Sequence, residues 1–260
     1  MPREHAPILA SRAGRYVEAR PIPRLLPHFQ CVWMSSVSQE HSGPVAVVPD
    51  GCVDLLWRDD RFTVVGPDIT AATPELRPGS IVLGIRFMPG AAAKWLGRPL
   101  TEIVGREVPM AEFWSSEADR IADRIAAASS TRDKLRVLQE LLAAEAPKVE
   151  PPRQEAMMIF RLIGSDASAH GRKIKALRER LGASERTLRR QCNELFGYGP
   201  KTLDRILRFQ RFQALARTDA DEGLALLALR AGYADQAHLT REVQSLCGMT
   251  AGEFVRQLMA

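Results

Sequence analysis

Cysteine is scarce in this chain, and the four it has are scattered: Cys31, Cys52, Cys192 and Cys247. No two stand in a C-x-x-C pair, so neither a zinc ribbon nor a disulfide framework is expected. Histidine is equally thin. His5, His28 and His41 form no cluster, which argues against a metal-binding barrel of the kind built on grouped histidines. Long apolar runs are missing too, and none approaches the ~20 residues that a membrane-spanning helix needs. The start, Met1-Pro2-Arg3-Glu4-His5, lacks the apolar stretch of a signal peptide, so a cytoplasmic protein without a membrane partner is expected. Asp50, Cys52, Asp54 and Arg86 are the nearest thing to a reactive set, but no nucleophile motif accompanies them, and polar residues on strands and turns are more often structural. No catalytic residue, enzyme activity, cofactor or metal is expected.

What is present suits a soluble two-domain protein. The 260 residues are 45% hydrophobic and 26% charged, enough for two domains that each bury a core. The net charge of +5 is unevenly placed. Residues 1–152 hold 18 basic and 19 acidic side chains, whereas 153–260 hold 18 and 12, and within 170–211 the balance is 12 to 4. Such a concentration of Lys and Arg is what the release of counterions from phosphates requires.

Taken in order, residues 1–14 carry Pro2, Pro7 and Gly14 without periodicity and read as loosely held. Candidate strands follow at Phe29–Met34, Pro44–Val48, Val53–Trp57, Phe62–Val65 and Ile81–Phe87, separated by turn signals such as Pro49-Asp50-Gly51, Arg58-Asp59-Asp60 and Gly66-Pro67-Asp68. Helices are expected over Ala91–Leu96, Leu100–Val104, Ala118–Ala128 and Thr131–Ala144. The last carries Leu135, Leu138, Leu141 and Leu142 on one face, for core packing or a dimer seam. The spacing predicts an α+β N-terminal domain over 1–146, a small sheet or barrel plus helices. Proline-rich residues 147–152 read as a stiff linker. An all-α domain over 153–260 follows, opening on a helix at Gln154–Ile163 and a polar loop to Gly171.

Within that second domain one pattern is stated twice, 51 residues apart. Ser184 matches Asp235, Leu188 matches Leu239, Arg190 matches Arg241, Leu195 matches Leu246 and Gly197 matches Gly248. Each copy has a short apolar helix, a glycine turn, a good N-cap residue, leucines at helical spacing and a terminal glycine. That is the helix-turn-helix order, whose second helix enters the DNA major groove. The units span about 174–196 and 224–246, and Pro200 starts a long helix, Lys201 to about Arg217, that joins them.

Residues 153–260 resemble the AraC/XylS family of bacterial transcription regulators. The resemblance is carried by Leu181-Gly182-Ala183-Ser184-Glu185-Arg186-Thr187-Leu188-Arg189-Arg190, Phe196-Gly197-Tyr198-Gly199-Pro200-Lys201, Arg205-Ile206-Leu207-Arg208-Phe209-Gln210 and Ala231-Gly232-Tyr233-Ala234-Asp235-Gln236-Ala237-His238-Leu239-Thr240-Arg241-Glu242. The chain departs from the family pattern at Arg178, Leu246-Cys247 and Thr250-Ala251. The zinc cluster of four cysteines used by DNA-repair methyl transferases with such a domain is missing. Ahead of it, Val48-Pro49-Asp50-Gly51-Cys52-Val53-Asp54-Leu55, Val65-Gly66-Pro67 and Gly84-Ile85-Arg86-Phe87-Met88-Pro89-Gly90-Ala91-Ala92 are similar to a sensor-type domain found before such DNA-binding domains, a likeness that implies architecture and no effector site.

The base-facing side of a recognition helix lies away from its buried leucine. Candidate base readers are therefore Arg186, Arg189 and Arg190 in the first unit and Gln236, Ala237, Thr240 and Arg241 in the second. Arg186 and Arg189 are favoured for bases and Arg190 partly for phosphate; Ser184, Glu185, Asn193, Lys201, Asp235 and His238 flank them as phosphate or neighbouring candidates, with His238 expected at the helix-turn-helix joint. The resemblance implies a sequence-specific regulator whose two recognition helices enter successive major grooves of double-stranded DNA. A homodimer is one candidate assembly, the oligomeric state being left open, and RNA polymerase is the expected partner for an activator. The N-terminal domain is expected to sense a small molecule; a protein partner, or oxidation of Cys31 or Cys52, is the alternative.

Overall fold

In the computed structural model, which describes residues 7–165 and 170–260 (side chains from 172 onward in the second stretch), a sheet-rich region precedes a helical one. The strands are β1 (Ile8–Leu9), β2 (Gly14–Ala19), β3 (Phe29–Val37), β4 (Val45–Ala46), β5 (Asp54–Arg58), β6 (Arg61–Val65), β7 (Ile81–Phe87) and β8 (Glu107–Pro109). Six form an antiparallel sheet in the order β2-β3-β7-β5-β6-β8, while β1 and β4 make a separate parallel pair. β5 turns into β6 through Asp59-Asp60, both at positive φ (50° and 59°), the two-residue hairpin whose twist matches its strands.

Five of these strands lie on the expected segments; β1, β2 and β8 do not. The expectation that residues 1–14 are loosely held is corrected for 7–14, residues 1–6 lying outside the described residues. The Ile8 amide donates to Pro44 O at 3.1 Å, the Leu9 side chain is buried, and a 3-10 turn over Ala10–Arg12 leads into β2. The two-residue length of β1 is too short to show a periodicity.

Alternation decides what each sheet face does. Leu83, Ile85 and Phe87 of β7 and Leu55 and Trp57 of β5 point into a core closed by α1 (Ala92–Leu96), α2 (Ala111–Trp114), α3 (Ser116–Ala126) and α4 (Thr131–Glu145). Leu138, Leu141 and Leu142 of α4 belong to that core, so this helix face packs within its own region. The other face is polar. Arg86 of β7 sits opposite Asp54 of β5 and grips it with two hydrogen bonds of 3.1 Å, while also pairing with Asp50 at 3.0 Å. Trp33 donates its indole N–H to the same Asp54 at 3.2 Å and lies over Gly84, where any Cβ would collide with the indole. Asp54 and Arg86 thus have a structural account in strand pairing, and Asp50, in the loop before β5, in its ion pair with Arg86.

The helical region comprises α5 (Gln154–Gly164), α6 (His170–Leu181), α7 (Glu185–Phe196), α8 (Pro200–Thr218), α9 (Leu224–Ala231), α10 (Gln236–Cys247) and α11 (Ala251–Met259). The polar loop expected up to Gly171 gives way to helix at His170, and its residues 166–169 lie outside the described ones. α8 is the buried axis: Leu203, Ile206, Phe209 and Phe212 are sealed, and its 19 residues span about 28 Å. Its polar residues face inward as well. Asp204, 3% exposed, accepts from Lys173 of α6 at 2.8 Å, and Lys173 also donates to Ile163 O at 2.9 Å. Arg208 reaches Asp204 at 3.6 Å and binds Glu242 of α10 through two 3.1 Å bonds.

The sheet region is seated on the helical region, and Leu9 and Ala46 belong to the helical core. Ala71 N–H donates to Leu246 O at 2.6 Å, Gln210 Nε2 to Pro49 O at 2.8 Å, and Leu9 N–H to Gln257 Oε1 at 2.8 Å. Gly197, at φ 82°, ends α7 in the left-handed conformation; a Cβ there would stand 2.7 Å from Val104 and 2.8 Å from Pro67. Beside Pro67, the Asp68 carboxyl is pushed up to about 6 by burial and by the charges of Asp50 and Asp54.

Two expectations follow from these charges. Asp204→Ala strands a buried lysine charge and should cost about 3 kcal/mol in denaturant unfolding, beyond any surface substitution. For Asp68 the folded state holds the proton more tightly than the unfolded chain, whose carboxyl titrates near 3.8. This group therefore favours folding at low pH and withdraws that support as pH rises from about 4 through 6. Asp68→Asn should flatten the decline over that window, and an unchanged pH profile would contradict the buried placement of Asp68.

Candidate nucleic-acid interface

The two polar helices α7 and α10 are built alike from the cap inward. Ser184 Oγ accepts from Thr187 N at 3.1 Å and Asp235 Oδ1 from His238 N at 2.6 Å, so each first turn has one of its free amides satisfied. Leu188 and Cys192 in α7, and Leu239 and Val243 in α10, are fully buried and fix which side of each helix faces the core. Gly197 and Gly248 close the two helices in the left-handed region, their amides bonded to Asn193 O and Gln244 O.

That orientation sorts the candidates. On α7, Arg186, Arg190 and Asn193 follow one another at i, i+4 and i+7 on the ridge opposite Leu188 and Cys192, with both arginines exposed. Arg189 is exposed on the flank, its stem lying beside Gly199 at the start of α8; Glu185 is exposed on the first turn. On α10 the same ridge holds Ala237, Arg241 and Gln244, all exposed and each 51 residues beyond its counterpart. Gln236 is exposed at the helix start, and Thr240 turns its hydroxyl to Gln236 O at 2.9 Å. Lys201 is exposed in the first turn of α8. His238 stands edge-on to Tyr233 with ring centroids 5.3 Å apart, and its Nε2 is 3.7 Å from Glu242. Gln244 was passed over by the sequence reading. Its counterpart Asn193 is the signal that could have found it, and its Nε2 donates to Gly248 O at 3.0 Å.

The basic stretch divides into two classes. Of the 12 basic residues in 170–211, Lys173, Arg205, Arg208 and Arg211 are turned to protein partners: Arg205 donates to Ser245 at 2.7 Å, and Arg211 to Ala231 O and Gly164 O. Arg172, Lys175, Arg178, Arg180, Arg186, Arg189, Arg190 and Lys201 are exposed. The departure at Arg178 is thus a surface charge, and the departure at Thr250-Ala251 leaves Thr250 capping α11 by accepting from Glu253 N at 3.2 Å.

The seam to the sheet region leaves the capped starts of both recognition helices open. It touches their far ends: Leu195, Phe196 and Gly197 in the first unit, and Leu246 O in the second. The two N-terminal cysteines are held as thiols. Burial pushes the Cys31 thiol up to about 11 and raises that of Cys52 well above its ordinary value, so neither is a thiolate near neutral pH. Among the described residues no group of three or more His, Cys, Asp or Glu could hold a metal ion, and no helix is long and apolar enough to cross a membrane.

Residues 177–257 match a family model described as a helix-turn-helix domain, and residues 17–109 match one described as a domain of unknown function, DUF6597. No curated protein matches the chain in sequence. Solved structures that are similar include ToxT from Vibrio cholerae in a P21 crystal form, at 10% identity and a TM-score of 0.48 over 90% of this chain and all of that one. Unsaturated fatty acid bound ToxT from strain SCE256 of the same organism is 12% identical, with a TM-score of 0.42 over 82% of this chain and 86% of that one. With the paired capped helices in view, residues 177–257 of the helical region form a helix-turn-helix domain, and it follows a sheet-rich domain of unknown function.

Proposed function

We propose that this protein is a sequence-specific regulator that reads two successive major grooves, one with α7 and one with α10. The observation that carries the reading is the matched pair of ridges, Arg186–Arg190–Asn193 with both arginines exposed and Ala237–Arg241–Gln244, on helices joined by a single buried α8. Arginine on such a ridge can pair bidentately with guanine O6 and N7, for about 1–3 kcal/mol of discrimination. Arg186 is assigned to a base and Arg189 to a base or the adjacent phosphate, Arg190 reaches base edge and phosphate from the same ridge, and Gln236 and Arg241 read in the second groove. Lys201 and the exposed basic residues of α6 supply phosphate contacts.

Residues 1–146 act as the regulatory domain, 147–152 as the linker and 153–260 as the DNA-binding domain. The regulatory domain senses a small molecule and acts through the seam, since the ends of both recognition helices rest on it. A fragment of 153–260 is expected to fold and bind DNA; one that folds and binds nothing defeats this division.

Genome-wide DNA capture with the purified full-length protein, at stated salt, should recover an asymmetric motif with two elements ~10 bp apart. Sequence-blind binding at every salt concentration would sink the reading. Within the motif, Arg186→Ala should relax the preference at one base pair by about 1–3 kcal/mol and leave the other element unchanged. Uniform weakening over all sequences would reassign Arg186 to a phosphate.

A further inference from the structure

A cavity of about 240 Å³ opens on the side of the sheet region where α4 hands the chain to the linker, lined by Trp95, Trp114, Glu117, Glu145 and Val149. Its floor is two indoles, from the end of α1 and the end of α2, with ring centroids 6.0 Å apart and planes tilted by 43°. Both ring N–H groups are already engaged. Trp95 Nε1 donates to His28 Nδ1 at 3.1 Å, and Trp114 Nε1 donates to Trp95 O at 3.0 Å. Trp95 is only 4% exposed and packs against His28, Phe29 and Phe87, so it closes the base of the cavity, while the half-buried Trp114 supplies the accessible ring, and neither indole has a free donor. The polar lining is two carboxylates, Glu117 in the first turn of α3 and Glu145 as the last residue of α4.

This chemistry selects a charge sign. A carboxylate only accepts hydrogen bonds, and the face of an indole carries negative electrostatic potential, so nothing in the lining can hold an anion. A cation meets both features favourably. The present partners of the carboxylates are weak competitors: Arg120 pairs with Glu117 and Lys148 with Glu145 as i, i+3 neighbours, and both cations are about two-thirds exposed. Such surface pairs contribute little and release readily into solvent. The volume lies just below the ~300 Å³ at which drug-sized ligands are held, which limits the guest to a compact head with a short tail.

We infer that this cavity binds a small organic cation, a quaternary methylated ammonium, against the Trp114 ring with Glu117 and Glu145 as its counter-charges. A quaternary head has no N–H donors to leave unsatisfied and presents its methyl groups to the Trp114 ring. The position makes it a control site, a role that rests on the regulatory reading above, whereas occupancy of the cavity does not. Val149 forms part of the wall, and the next residue, Glu150, lies 3.7 Å from Lys94 of α1, so a bound guest touches the start of the linker.

The test is titration of the full-length protein with choline chloride at constant ionic strength, read by tryptophan fluorescence, since two of the four tryptophans line the cavity. Neutral 3,3-dimethylbutan-1-ol serves as the shape-matched control. The expected result is a saturable response to choline with a midpoint at or below about 1 mM, and none to the alcohol. Glu145→Gln and Trp114→Leu should each weaken binding about tenfold. If Trp114→Leu fails to fold, the double variant Glu117→Gln with Glu145→Gln carries the test. An unsaturable response, an equal response to the alcohol, or undiminished binding in these variants overturns the proposal. DNA affinity measured with and without choline is the second readout. A shift supports the control role, and unchanged DNA affinity with choline bound overturns that role. Failure to bind DNA sequence-specifically at all would defeat the regulator reading and leave the cavity result standing.

Discussion

The chain of charges through α8 holds the DNA-binding region in one piece. Lys173, Asp204, Arg208 and Glu242 come from α6, α8 and α10, and they run from the support of the first recognition helix to the body of the second. Buried pairs of this kind add little net stability compared with apolar residues of equal size, because each ion has lost its hydration. Their effect is on geometry. A misaligned register would leave a bare charge between helices, so the network penalises any relative sliding of α6, α8 and α10 more steeply than apolar packing alone. On the reading proposed above, two recognition helices that meet grooves one helical turn apart need that constraint, since a shift of a few ångströms at one end of α8 would take the second helix out of register with the DNA.

Against this stiff unit the sheet region makes contact at equivalent places in the repeat. Leu195 and Gly197 of the first unit lie against it, and Leu246, the counterpart of Leu195, accepts from Ala71 N–H. The equivalence is incomplete. The first cap glycine is enclosed by Val104 and Pro67, while the space a Cβ would take at Gly248 is open. A displacement in the sheet region would therefore be felt first and most strongly by α7, whose capped start carries three arginines. Asp50 and Asp68 lie close to this contact, and the buried Tyr198 hydroxyl beside Gly51 has no hydrogen-bond partner among the described residues, so the seam is polar enough to respond to a change in charge.

How much of this was legible depended on whether the signal was local. The helix-turn-helix pair could be read because its caps, leucines and terminal glycines repeat at a fixed offset, and each of those features acts over four residues or fewer. The central strands β5, β6 and β7 could be read for the same reason, as short apolar segments between turn residues. What escaped reading depends on distant partners. β1 is a strand only because Pro44 and Val45 offer an edge, and β8 only because β6 does. The separation of Lys173, Arg205, Arg208 and Arg211 from the exposed basic residues was likewise invisible, since in sequence they are simply cations at helical spacing. Gln244 was hidden by its chemistry, being a neutral residue late in a helix whose first turns drew attention.

The two recognition helices differ in kind, and the difference bears on how DNA would be held. α7 presents Arg186, Arg189 and Arg190, with the exposed basic residues of α6 next to it, whereas α10 presents Arg241 among neutral side chains and has Glu242 beside it, bound to Arg208. Counterion release scales with the number of phosphates neutralised, so on the proposed reading most of the salt-sensitive attraction would come from the first unit. The second unit, with Gln236, Thr240, Arg241 and Gln244, has the means to discriminate between bases but little long-range pull. On that reading its encounter with DNA would depend on α8 to deliver it once α7 is seated. Rigidity in α8 thus serves affinity as well as spacing, because it converts the second contact into an intramolecular one at a fixed distance.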